Sequence, residues 1–78
     1  MLPSTVVQYV KRTGKTLIVG HAQTDERFAT DPYIVAARPL SILCVPILHQ
    51  TELKGVLYLD NALSTDAFTA DRVKSALG

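Results

Sequence analysis

The sequence predicts an α+β fold, a sheet built around one hairpin with short helices at its flanks, and three observations predict it. Two apolar runs, Ser41–Leu48 and Lys54–Asp60, stand either side of the polar break "HQTE", the pattern of a β-hairpin. A third run, "KTLIVG", is short, apolar and closed by Gly20. The segments between these runs carry helix start and stop residues and no period of two.

Pro3 and Ser4 open the first helix, about 3–13, with Ser4 as its expected cap. Val6, Val7 and Val10 form a narrow apolar stripe, and Gly14 supplies the left-handed stop. A strand follows at about 16–19. In "HAQTDERFATDPYIVAARP", Thr24 or Asp25 is placed to cap a single turn carrying Phe28. Asp31 before Pro32 reads as an N-cap with proline at the first helical position, and Pro39 disfavours helix at Arg38. Short helices are therefore expected over about 25–38. The hairpin strands are expected at about 41–48 and 54–60, with Pro46 at a bulge or where its missing amide faces no partner. "NALSTDA" is a loop. Thr69 caps a terminal helix from about 70, with Val73, Ala76 and Leu77 on one side, and that helix reads as truncated.

Neither hairpin strand has a polar face. Within Ser41–Leu48 both alternating sets are apolar, and so are Val56, Tyr58 and Gly55, Leu57, Leu59. Such a pair sits in the middle of a sheet and needs cover on both sides. The helices this chain offers are short, so the cover is expected to be incomplete, the rest coming from residues the chain lacks or from a second copy.

Composition narrows the function. The chain has 78 residues, a net charge of +1, 47% apolar and 19% charged residues. Charges of both signs are interspersed, which argues against a nucleic-acid groove or a basic membrane patch. The longest apolar run, Ile42–Leu48, is too short to span a bilayer, and the N-terminus lacks signal-peptide features. A cytoplasmic location is the default expectation. Cys44 stands alone, which excludes an internal disulfide. His21 and His49 have no cysteine or carboxylate at metal-ligand spacing, and Ser4, Ser41 and Ser64 lack a nucleophile elbow. Asp60, Asp66 and Asp71 read as turn and cap residues. No catalytic or metal site is expected, so this segment is read as not itself an enzyme.

The order "YVKRTGK", "TLIVGHAQTDERFATDPYIVAARPLSILCVPI", hairpin, "KGVLYLDN" and "FTADRVKSAL" resembles the C-terminal part of a GAF domain. The likeness is greatest to those of multidomain bacterial sensor proteins with histidine-kinase or serine/threonine-kinase outputs. It implies a GAF-like (profilin-like) antiparallel sheet. Helices from both ends of the domain pack on one face, and short helices and loops close a small-molecule pocket over the other. The first helix and the first two strands of that fold have no counterpart here, so residues 1–78 are expected to be the C-terminal portion of one domain.

By position, the resemblance carries ligand-binding roles onto Phe28, Tyr33, Ile34, Ala37, Arg38 and Tyr58. An arginine beside aromatic side chains suits a phosphate or carboxylate, while Tyr33 suits stacking on a ring. The alternative makes Phe28, Ile34 and Tyr58 core and Arg38 a solvated helix end. Cyclic-nucleotide-binding relatives carry an Asn-Lys … Phe … Asp-Glu signature. Here Asn61 precedes Ala62, and Asp71–Arg72 lacks the acidic pair, which argues against such a ligand. Bilin-binding relatives use a cysteine near the pocket helices, and Asp31–Pro39 has none. Cys44, within a strand, reads as a small hydrophobe, which suits neither a bilin nor methionine-sulfoxide reductase chemistry.

The resemblance thus implies a sensory module of a two-component or related signal-transduction kinase. It would relay ligand or partner state to an adjacent output domain. The alternative is an interaction element with a vestigial pocket, acting as a homodimer through its open sheet and terminal helix.

Overall fold

The computed structural model describes the backbone of residues 2–77 and the side chains of residues 2–75. β2 (Ser41–His49) is the central strand of a three-stranded antiparallel sheet ordered β1-β2-β3. β1 (Leu17–Val19) and β3 (Glu52–Asn61) flank it. The registers set Leu17 and Tyr58 on either side of Cys44, and Val19 and Asp60 on either side of Ile42. Residues opposite one another share a face, so Leu17, Val19, Ile42, Cys44, Val56 and Tyr58 line one side of the sheet.

That side is the buried one. Val6 and Val10 of α1 (Ser4–Thr13) and Ile34 of α2 (Pro32–Ala37) join it, with Phe28, in one apolar cluster. Val6 and Val10 are fully buried, and each contributes roughly 1.5–3 kcal/mol by leaving water. On the other side Leu43 is buried, whereas Leu57 and Leu59 stay 43% and 44% exposed. The two-sided apolar character of the hairpin is thus matched by closer cover on one face, where Ile42 and Cys44 are fully buried, and looser cover on the other.

Gly14 ends α1 in the left-handed conformation, φ 65°, donating its amide to the Val10 carbonyl at 2.8 Å. At the other end Ser4 does not cap. Pro3 holds the cap position with extended backbone and no side-chain bond, so Ser4 becomes the first helical residue. The cap comes from afar. Asp31 Oδ2 accepts the Thr5 amide at 2.9 Å and the Thr5 hydroxyl at 2.6 Å, while Asp31 Oδ1 accepts the Tyr33 amide of α2 at 2.8 Å.

Around Phe28 the chain makes a single turn. Phe28 and Ala29 donate to the Asp25 carbonyl, and the Asp25 carboxylate takes the Arg27 amide. Pro32 stops the turn from continuing, because it holds Asp31 extended (φ −58°, ψ 131°). α2 alone is helical in this stretch. It ends at Arg38, which adopts the left-handed conformation (φ 55°) and donates its amide to the Ile34 carbonyl.

The hairpin is longer than expected. Its turn is only Gln50–Thr51, both left-handed (φ 52° and 69°), so His49 pairs with Glu52 and Leu48 with Leu53. Ile47 then faces Gly55, leaving Lys54 as the extra residue of a bulge. Pro46 is not at that bulge; it faces Val56, beyond the end of β1, which stops opposite Cys44. Asn61 Oδ1 accepts the Leu63 and Ser64 amides, and buried Ser41 donates to the Ser64 carbonyl, fastening the loop after β3 to the sheet. Thr69 caps α3 (Ala70–Leu77) through the Arg72 amide at 3.3 Å, and Val73 is buried. The side chains of Ala76 and Leu77, expected on the same stripe, lie outside the described residues.

Candidate functional site

α2 is positioned by the two-ended grip of Asp31, and this brings Tyr33 over β3. Tyr33 meets Tyr58 edge to face, with ring centroids 6.3 Å apart and planes at 86°. Both phenols donate to the same acceptor, Asp60 Oδ2, at 3.3 Å from Tyr33 and 2.9 Å from Tyr58. Burial, with the neighbouring Asp60 carboxylate next in weight, pushes the Tyr58 phenol far above its ordinary range, and the same two causes raise Tyr33. Both therefore stay protonated donors at any physiological pH. The cluster offers an aromatic wall, two hydroxyls and one anionic oxygen pair at the rim of the helix-covered face.

Phe28 and Ile34 lie beneath it, 2% and 1% exposed, as parts of the apolar core. Ala37 is exposed near the end of α2. Arg38 sits elsewhere: its guanidinium donates to Gln23 Oε1 at 3.4 Å, and Gln23 Nε2 donates to the Arg38 carbonyl at 2.9 Å. This clasp borders a groove of about 260 Å³ lined by Gln23, Ala29, Ile34, Val35 and Arg38. The structure thus brings Tyr33 and Tyr58 together and leaves Arg38 with a different set of neighbours.

A groove of about 430 Å³ has no counterpart in the sequence expectations beyond Phe28. It lies between α1 and the Asp25 turn, lined by Ser4, Thr5, Gln8, Tyr9, Arg12, Arg27 and Phe28. The Arg12 and Arg27 guanidinium carbons stand 5.4 and 5.6 Å from the centre of the Tyr9 ring. Arg27 is already neutralised by a two-pronged bond to Asp25, at 3.0 and 2.8 Å. That bond also holds the Asp25 carboxyl below its usual range. The i, i+4 spacing of Ser4, Gln8 and Arg12 was the legible signal for this surface. We place the candidate site at Tyr33, Tyr58 and Asp60 because their polar atoms converge on one point.

Cys44 is fully buried between Leu17 and Tyr58, and burial raises its thiol pKa. A protonated, enclosed thiol is a poor nucleophile. Among the described residues no group of three or more His, Cys, Asp or Glu side chains is arranged to hold a metal ion. Nor is any helix among them long and apolar enough to cross a membrane.

Comparison with known proteins adds two findings. The model of the GAF domain family matches residues 1–76. Hybrid signal transduction histidine kinase G of Dictyostelium discoideum is 39% identical over 70 residues, covering 90% of this chain. Those residues span only 2% of that kinase's length. Since the family model runs across the sheet, its covering helices and the tyrosine cluster alike, the chain belongs to the GAF domain family.

Proposed function

We propose that the chain is a sensory, regulatory module of a multidomain signal-transduction kinase, binding a small molecule at Tyr33, Tyr58 and Asp60. The observation that carries this reading is the convergence of both phenols on Asp60 Oδ2. A ligand with a flat ring stacks on Tyr33 and gives a hydrogen-bond donor to the Asp60 carboxylate, displacing one phenol. The family match and the name of the similar kinase support a role in signalling.

The relay follows from chain continuity. Asp60 adjoins Asn61, whose side chain organises the loop that leads to α3. A ligand that binds one setting of that loop more tightly than another shifts the population, and α3 carries the shift to an output domain.

The test is a calorimetric screen of the 78-residue chain with aromatic amines, small acids, cyclic nucleotides and bilins. Binding heat that Tyr33→Ala and Asp60→Asn abolish, with altered amide exchange in α3, is the expected result. Absence of heat from every class overturns the ligand reading. A second reading, an interaction element, is favoured by one observation: β3 is an edge strand whose Leu57 and Leu59 are exposed.

A further inference from the structure

The groove between α1 and the Asp25 turn is lined by residues of those two elements alone, and it shares none with the Tyr33–Tyr58–Asp60 cluster. Guanidinium groups stack on aromatic rings roughly once per 70–80 residues, yet three such contacts gather here. Arg12 and Arg27 both stand over Tyr9, and Arg27 also stands over Phe28 at 4.8 Å. The Tyr9 ring is anchored in turn, edge to face on buried Phe28 with centroids 5.8 Å apart. Stacking of this kind sets the plane of a guanidinium and leaves its in-plane N–H groups free for an acceptor.

The two arginines have different work left to do. Arg27 gives Nε and Nη2 to Asp25, so its charge is matched, while its Nη1 bonds nothing among the described residues. Arg12 forms no ion pair among those residues, so the groove holds one unmatched positive charge. Along α1, Gln8 and Ser4 follow Arg12 at successive turns, about 5–6 Å apart, and all three are exposed. Phe28 is 2% exposed and Tyr9 lies under the guanidiniums. The side-chain ends presented along the groove are therefore guanidinium, amide and hydroxyl.

We propose that this groove binds a small hydroxylated organic anion, a sugar phosphate or a sugar acid. The anionic group sits on Arg12 and on Nη1 of Arg27, and the hydroxyls of the body meet Gln8 and Ser4. A guanidinium fork matches phosphate and carboxylate oxygens alike, and both arginines are held in place before the ligand arrives. A volume of about 430 Å³ lies within the range of small-molecule sites. One unmatched charge suits a ligand with one anionic group, and the line from Gln8 to Ser4 distinguishes a hydroxylated body from a bare anion.

The experiment follows the backbone amide resonances of the 78-residue chain during titration with inorganic phosphate, a hexose phosphate and glucuronate. Saturable shifts at Gln8, Arg12 and Arg27 are expected with the hexose phosphate or the glucuronate, and the tighter of the two names the anionic group. Inorganic phosphate shifts Arg12 and Arg27 and leaves Gln8 unmoved. Arg12→Ala weakens binding by about ten-fold, the loss of one charge-assisted contact, and Arg12→Lys, which keeps the charge without the fork, recovers only part of it. Gln8→Ala weakens the sugar ligand and leaves inorganic phosphate unchanged. Lys15→Ala, an exposed cation that does not line the groove, changes neither. The altered positions are all exposed, and an unchanged Tm confirms that each variant is folded. Absence of saturable shifts with all three anions overturns the proposal. Equal binding by Arg12→Ala overturns it too, by showing diffuse attraction to surface charge. Shifts confined to Tyr33, Tyr58 and Asp60 overturn it in favour of the other site.

Discussion

Asp31 does the work of two caps with one carboxylate. It is 3% exposed, yet each oxygen is used, one on the start of α1 and one on the start of α2. Burial pushes its pKa up, but the bonds from the Thr5 hydroxyl and amide, then from the Tyr33 and Ile34 amides, outweigh burial and leave it lowered. Asp31→Ala is expected to cost about 2–4 kcal/mol, the sum of two lost caps and a set of unpaired amides, measured by urea unfolding. Asp31→Asn, with one acceptor oxygen, costs roughly half of that. The sign of the pH effect follows from the lowered pKa. The stabilisation is complete above the unfolded carboxyl value of about 4 and is lost as pH falls through the lower folded value. Below pH about 4 the native chain should lose stability faster than Asp31→Asn, and parallel pH profiles for the two would show that the carboxylate contributes no proton-linked stability.

At the scale of elements, the hairpin is the clearest case of structure imposed on unfavourable residues. A two-residue turn matching the strand twist needs both residues left-handed, the role Asn-Gly fills best. Here Gln50 and β-branched Thr51 occupy it. The pairing of β2 with β3 and the sheet around it hold them there at a local cost on the order of 1 kcal/mol each. Replacing the pair by Gln50→Asn with Thr51→Gly is expected to stabilise the chain by about 1 kcal/mol. That raises Tm by roughly 4–8 °C for a domain of this size. An unchanged or lower Tm in calorimetry would mean the strain lies elsewhere. The turn was legible as "HQTE", but its length was not: without glycine, nothing local distinguishes a two-residue turn from a wider one. The Asp25 turn around Phe28 is confined by its neighbour in sequence. Pro32 holds Asp31 extended, so the chain makes one turn there and then starts α2.

For the whole molecule, the sheet is a partition whose helix side is dry at its centre. Cys44 lies at its centre, fully buried on the helix side with strands on both of its edges. Local fraying at the hairpin turn or at α3 does not uncover it, so only global opening should. Its rate of reaction with an aromatic disulfide is expected to rise with urea along the slope of global unfolding. Reaction independent of urea would show a local route to the thiol, and a sheet less closed than its packing indicates. The other side of the sheet remains half open around Leu57 and Leu59.

What the residues determined by themselves was local or periodic. Gly14 stopped α1, Asp31 and Pro32 opened α2, Thr69 capped α3, and the unbroken apolar character of both hairpin strands announced a sheet needing cover on two sides. Each of these depends on chain chemistry within a few residues, so it is readable in order along the sequence. Only the tertiary structure decided that Asp31 reaches Thr5, that Tyr33 and Tyr58 share Asp60, and that Arg38 turns to Gln23 instead. It also decided that a groove of about 430 Å³ forms between α1 and the Asp25 turn. Those meetings join positions far apart in the chain, and they depend on strand register and on where each helix comes to rest. No local preference carries that information, because it arises when the apolar faces pack.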